Sequence, residues 1–177
     1  MSISPELMGE FIRKASDQLT GDWVVIGGAV LHLLNVNARQ TEDIDLAGPP
    51  GATQADVIRL MEIATDFGLP IEAINQAGAF FLSRIMNWQT KLILVHKGAS
   101  ASFFRPNLEL FFELKLGRLT EADVTDCVNY LKYTIDHGEA CDPQSLISKC
   151  EALLKFPEKK DRVSSLIAVL EKLNPGS

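Results

Sequence analysis

The stretch that most restricts what this chain can become spans residues 23–47, WVVIGGAVLHLLNVNARQTEDIDLA. Val24, Val25 and Ile26 make a short β-branched apolar run that predicts a buried strand. Gly27-Gly28 ends it, and Ala29, Val30, Leu31, Leu33 and Leu34 then follow a helical spacing. A polar connection leads into Glu42-Asp43-Ile44-Asp45-Leu46. Side chains alternate along a strand, so Asp43 and Asp45 share one face while Ile44 and Leu46 share the other. Two carboxylates this close repel each other, and apolar neighbours deprive them of water. A divalent cation between them removes the conflict, and hard oxygen ligands suit Mg²⁺ or Mn²⁺. The glycine pair adds backbone N–H groups at a helix start, open to close approach and attractive to a phosphate. Strand, glycine pair, helix and a second strand with Asp-x-Asp point together to a metal–triphosphate site.

The run G-G-A, followed by R-x-T-x-D-I-D-L, resembles the signature of the minimal nucleotidyltransferase fold. It is most similar to the small bacterial branch related to the AbiEii toxins of type IV toxin–antitoxin systems. The resemblance covers roughly residues 23–131. It implies an α+β fold, a small mixed sheet flanked by helices and followed by a helical C-terminal part. It also implies a toxin-like transferase that moves a nucleoside monophosphate from a Mg–nucleoside triphosphate to a hydroxyl of protein or RNA, with an antitoxin-like protein as a partner. The alternative is a degenerate member of the same fold that binds a nucleotide or a partner without turning it over.

On this resemblance Asp43 and Asp45 hold the divalent metal as the catalytic pair, and Gly27 and Gly28 meet the triphosphate through backbone N–H groups. Arg39 either pairs with a phosphate or braces the acidic strand by a salt bridge, and both readings stay open. Thr41, beside the nucleotide, reads as a structural hydrogen-bond donor or cap. A later run, KLGRLTEADVTD at residues 115–126, is similar to a K-L-x-x-x-R-x-x-D-x-x-D pattern of the same branch. There Lys115 would reach the triphosphate as a point charge. Arg118, three residues on, would share its helix face, and Asp123 and Asp126 would orient the two cations rather than bind metal. The two cations stand closer together than the pattern requires, which weakens the assignment of Arg118. Active members of the wider superfamily carry a third carboxylate on a later strand, as a metal ligand or general base. The strand expected at residues 89–96, QTKLILVH, has no acid. A further strand expected near residues 82–86 has none either, and Glu72, Glu109 and Glu113 fall on loop or helix positions.

The remaining chain bounds these readings. A formal charge of −6 argues against a broad electropositive surface, so non-specific nucleic-acid binding is not expected. Lys155, Lys159, Lys160 and Arg162 make one local basic cluster. Cys127, Cys141 and Cys150 lack zinc-type spacing and read as reduced, half-buried thiols. The first residues carry no apolar signal core, and no run is long enough to span a membrane, so the expectation is a cytoplasmic protein. His32 reads as a helix-surface residue, and His137 as a helix C-terminal one. Ser4-Pro5-Glu6 opens a helix with its apolar face at Leu7, Met8, Phe11, Ile12, Ala15 and Leu19. Residues 54–67 make a second amphipathic helix ended by Gly68. After Arg105-Pro106-Asn107 only helical patterns remain, which places a boundary near Pro106. Residues 1–106 are expected to form the α/β core and residues 107–177 a helical extension packed on it.

Overall fold

The computed structural model describes residues 3–36 and 41–173. The chain divides into two compact units, Met1–Asn107 and Leu108–Ser177. As the resemblance implies, the architecture is α+β, with a five-stranded mixed sheet and eight α-helices among the described residues.

In the first unit, helix α1 (Pro5–Gln18) starts as its sequence dictates: the Ser4 hydroxyl accepts from the Leu7 N–H, and proline occupies the first turn. Its apolar face buries Met8, Phe11, Ile12 and Ala15, and it packs on the side of the sheet formed by residues 92–106. The strands are β1 (Gly21–Val25), β2 (Ile44–Ala47), β3 (Ile74–Asn75), β4 (Leu92–Lys97) and β5 (Ala101–Pro106). Their order is β3-β2-β1-β5-β4. β1 runs antiparallel to β2 and parallel to β5, β2 parallel to β3, and β4 antiparallel to β5. Trp23 of β1 pairs with Phe103 of β5, and their rings stack at 6.4 Å with neither exposed. Burying each such ring is worth roughly 1.5–3 kcal/mol relative to leaving it in water. This pair anchors one side of the sheet, and Val25, Ile44 and Leu46 continue it.

Helix α2 (Ala29–Leu33) leaves β1 through Gly27-Gly28, and α3 (Gln54–Asp66) follows β2 through a Gly/Pro loop. A full Thr53–Asp56 capping box starts α3, and Gly68 sits in left-handed backbone just past its end. A short 3₁₀ turn (Ile71–Ala73) then delivers β3, and α4 (Gly78–Leu82) follows it.

Two expectations fail here. Residues 82–86 are not a strand: Leu82 ends α4 and turns follow. Leu82 is buried against the unit while Phe80 and Phe81 are exposed, so the apolar cluster is a helix with one inward face rather than an alternating strand. Conversely, residues 101–106, whose Arg-Pro-Asn ending reads as punctuation, form the strand between β1 and β4. Pro106 is tolerated because β1 pairs only with residues 101–104, leaving the proline past the end of that ladder.

The second unit contains α5 (Leu108–Leu116), α6 (Glu121–Asp136), α7 (Pro143–Glu151) and α8 (Lys160–Leu173). Leu110, Phe111, Phe112, Tyr130, Leu131, Leu146, Val163, Leu166 and Leu170 fill its core, and Phe111 meets Tyr130 edge-on at 4.9 Å. Asp142 caps α7 by accepting from the Ser145 N–H, ahead of Pro143 in the first turn. Among the described residues no helix is long and apolar enough to cross a membrane.

Candidate functional site

The acidic strand and the glycine turn meet in the first unit. The ladder between β1 and β2 pairs Val24 with Ala47 and Val25 with Leu46, and the Ile26 N–H then donates to the Asp45 carbonyl at 2.9 Å. Extension of that register sets the glycine turn against Asp45. Gly27 has φ +65°, a left-handed conformation that costs a side-chain-bearing residue about 1–2 kcal/mol. A Cβ there would also overlap Asp45 Oδ2 and lie 2.9 Å from its Cγ. The residue must therefore be glycine twice over, once for the backbone and once for the carboxylate lying against it. Gly28 is different. Its φ is −66°, in the ordinary helical region, and a Cβ would come no nearer than 4.0 Å to Thr41 Oγ1.

Alternation along the acidic strand is as the sequence requires. Ile44 and Leu46 are fully buried, Asp45 is half-buried between them on the opposite side, and Asp43 is exposed just before the strand begins. The Thr41 hydroxyl donates to the Asp43 carbonyl at 3.2 Å, and the Thr41 carbonyl accepts from the Ile3 N–H at 3.2 Å, which ties this approach to the first residues of the unit. Arg39 lies outside the described residues.

Asp45 has a partner that the sequence did not flag. β2 and β3 run parallel with Asp45 beside Asn75. Asn75 Nδ2 donates to Asp45 Oδ1 at 2.7 Å, and Asn75 Oδ1 accepts from the Ala77 N–H at 3.0 Å. Both ends of the amide are thereby committed, and the carboxylate orientation is set. Only knowledge of strand pairing would have revealed Asn75, because the β3 strand is two residues long and carries no periodic signal of its own.

A third acid does not join this pair from the sheet. Among the described strands only Asp22 and Asp45 are acidic. Asp22 pairs with Ser102 four residues before Ile26, about 13 Å back along the strand. No group of three or more His, Cys, Asp or Glu side chains suited to a metal occurs among the described residues. Two carboxylates nevertheless fit Mg²⁺, which keeps several waters and is commonly held by one or two carboxylates plus substrate phosphates. The glycine turn beside Asp45 leaves backbone, rather than side chain, as the neighbour such phosphates would meet. α2 is only five residues long, so the turn's own N–H groups, and not a long helix dipole, are what it offers an anion. His32 is buried at 8% exposure instead of lying on a helix surface, because four of the five α2 residues are enclosed.

Lys115 and Arg118 lie in the second unit, with Asp123 and Asp126. Lys115 Nζ donates to Asp123 Oδ1 at 3.0 Å and to Asp126 Oδ2 at 2.7 Å. Arg118 grips Asp123 with both Nε and Nη2, at 3.0 and 2.9 Å. The Lys115 ammonium and both carboxylates are buried, whereas the Arg118 side chain is 68% exposed. Asp123 also closes the capping box of α6, accepting from the Thr120 N–H and returning its own N–H to the Thr120 hydroxyl. Burial alone would raise the Asp123 pKa; the Arg118 guanidinium, the Thr120 N–H and the Lys115 ammonium outweigh it and hold the carboxyl well below the usual range. Two cations and two anions balance within one cluster. Arg118 does not continue the Lys115 helix as its spacing suggested: α5 stops at Leu116, and Arg118 occupies the turn before Leu119, whose φ is +46°. Cys127 lies close enough to feel all three charged neighbours, and burial pushes its thiol well up, which makes it a packing residue.

Residues 6–138 match the model of a family described as a nucleotidyltransferase of unknown function (DUF6036). No curated protein and no solved structure matches the chain.

Proposed function

The chain belongs to that family of nucleotidyltransferases, and from this premise we propose that it transfers a nucleoside monophosphate from a nucleoside triphosphate to a hydroxyl of a protein or RNA acceptor. The apposition of Gly27 and Asp45 carries the proposal, because it sets a phosphate-accessible backbone turn against a metal-suited carboxylate. Asp43 and Asp45 would hold Mg²⁺ or Mn²⁺. The bound cation supplies charge neutralisation at the phosphates as pyrophosphate departs. Asn75 holds the Asp45 carboxylate in one orientation. The Gly27 and Gly28 N–H groups receive the triphosphate, with Arg39 and Thr41 on the approach to the acidic strand. The acceptor O–Pα bond forms, the Pα–O bond to pyrophosphate breaks, and the hydroxyl proton leaves to water. The resemblance of residues 115–126 gives Lys115 and Arg118 a phosphate-facing role; within the second unit Asp123 and Asp126 hold both cations, and Arg118 is the more exposed of the two. A toxin-like role of the AbiEii type and an antitoxin-like partner rest on the resemblance of G-G-A and R-x-T-x-D-I-D-L, and a cytoplasmic location is read from the sequence, in which no run is long and apolar enough to cross a membrane.

One observation favours a second reading. The strand neighbour of Asp45 is a neutral amide, and the described strands bring no third acid to it. A nucleotide-binding module without turnover fits that arrangement. Calorimetric titration of the four nucleoside triphosphates with Mg²⁺ against the wild type and Asp45→Asn, followed by assay of pyrophosphate release, separates the two. Asp45-dependent binding with release supports transfer, and Asp45-dependent binding without release supports the module. Binding that ignores the Asp45→Asn change refutes both.

A further inference from the structure

Asn75 reaches the Asp45 carboxylate from the neighbouring strand with both of its polar ends engaged. Its Oδ1 accepts from the Ala77 N–H at 3.0 Å, and a backbone N–H admits only an oxygen at that end of the amide. The other end is therefore the NH₂ group, and it donates to Asp45 Oδ1 at 2.7 Å. The two residues are direct partners in the parallel ladder of β2 and β3. On the opposite flank of β2 stands β1. There a Cβ on Gly27 would overlap Asp45 Oδ2, so that oxygen is turned towards the glycine turn. The carboxylate thus lies across its strand, one oxygen held by the amide of β3 and the other against the backbone that leaves β1.

The backbone beneath it is equally fixed. The Ile26 N–H donates to the Asp45 carbonyl at 2.9 Å, and Ile44 and Leu46 on either side are fully buried. To give both oxygens to one ion beside the glycine turn, the carboxylate has to swing away from Asn75 and lose the 2.7 Å bond. Divalent cations differ in how much of this they need. Ca²⁺ gathers roughly six to eight oxygens, often both from one carboxylate, and prefers ligands free to adjust. Mg²⁺ keeps several waters and draws on few carboxylate oxygens beside substrate phosphates.

We infer that Asn75 sets the choice of divalent cation at Asp45: by holding Oδ1 it leaves Asp45 a one-oxygen ligand, which suits Mg²⁺ or Mn²⁺ and disfavours Ca²⁺. The inference rests on the metal–triphosphate reading of Gly27 and Asp45 and adds to it what decides between ions. Asn75 acts through Asp45 and is a positioning residue. Outer partners that orient a ligating group typically change metal affinity by about 10–100-fold when they are removed.

Calorimetric titration of ATP in saturating Mg²⁺, Mn²⁺ or Ca²⁺ reads this choice as a ratio of affinities and needs no turnover. The proteins are wild type, Asn75→Ala, Asn75→Asp and Asp45→Asn. Wild type should bind ATP at least about tenfold more tightly with Mg²⁺ or Mn²⁺ than with Ca²⁺. Asn75→Ala frees Asp45 Oδ1 and should shrink that ratio about tenfold. Asn75→Asp keeps an acceptor for the Ala77 N–H, so the start of α4 is preserved, and puts an oxygen where the donor stood. It should shrink the ratio too, through tighter binding with Ca²⁺. Asp45→Asn should weaken ATP with every ion. A wild type that binds ATP equally with the three ions overturns the inference and leaves the triphosphate site standing. An unchanged ratio in either Asn75 variant, uniform loss of binding included, overturns it as well, because the hydrogen bond would then be purely structural. If ATP with Mg²⁺ fails to bind the wild type, or binds without regard to Asp45, the underlying site reading fails and the choice of ion with it. Circular-dichroism melting identifies the folded variants, and should Asn75→Ala not fold, Asn75→Asp alone decides.

Discussion

Replacing Gly27 and Gly28 separately by alanine should produce opposite results from adjacent positions. At Gly27 the methyl group forces a left-handed backbone on a residue with a Cβ, about 1–2 kcal/mol. It also displaces the Asp45 carboxylate it would overlap. That carboxylate accepts the 2.7 Å bond from Asn75, and a hydrogen bond to a charged group contributes about 1.5–3 kcal/mol. Partial relaxation places the total near 2–4 kcal/mol, since the left-handed penalty and the lost bond are not fully additive. At roughly 2–4 °C per kcal/mol for a chain of this size, the melting temperature should fall by about 5–15 °C. Gly28 already has helical dihedrals and open space around its missing Cβ, so alanine there should be neutral or stabilise by about 0.4–1 kcal/mol through the unfolded state. Urea denaturation followed by tryptophan fluorescence reads the relevant unit, because Trp23 is buried in its core. If the two variants melt within a degree of each other, the apposition of Gly27 and Asp45 is not what requires glycine there.

Lys115→Met leaves Asp126 buried without its 2.7 Å cation and should destabilise the second unit by about 3–5 kcal/mol. Arg118→Ala removes a largely exposed partner and should cost much less; similar losses in denaturant melts would contradict this picture. The Asp123 carboxyl is held below its unfolded pKa, so the stability it contributes is complete above about pH 4 and is lost as pH falls towards the folded value. In Asp123→Asn the slope of stability against pH below about 4 should therefore be shallower than in the wild type, as measured by acid titration at fixed urea. Cys141 is exposed while Cys127 and Cys150 are buried, so a thiol reagent should label one site in the native protein and three in denaturant. Prompt labelling of three sites without denaturant would contradict the burial of the other two.

Much of this arrangement was legible in the residues themselves. Alternation alone put Asp45 opposite Ile44 and Leu46, and serine and proline at its start marked α1. The resemblance of residues 115–126 named Asp123 and Asp126 as partners of the two cations, and both accept from Lys115. What stayed hidden depended on pairing between distant segments. Asn75 acquires its role only because β3 lies beside β2. β5 was not expected because Arg105-Pro106-Asn107 reads as a break in the chain, yet its pairing with β1 and β4 overrides local preference. The opposite error at residues 82–86 has the same origin. An apolar cluster too short to show a period is assigned by what it packs against, and Gly78 against Ile26 makes it helix.

Asn75 also has a consequence for the order of events in the proposed reaction. An aspartate at that position would differ by one heavy atom and would set two negative charges against each other whenever the cation was away. The amide instead donates to Asp45 and keeps the carboxylate aligned with no metal needed to hold it there. A site built this way has little reason to retain a resident ion. Asp43 and Asp45 would stand ready for a divalent cation carried by the triphosphate, and the protein would recognise the metal and its nucleotide as a single incoming cargo.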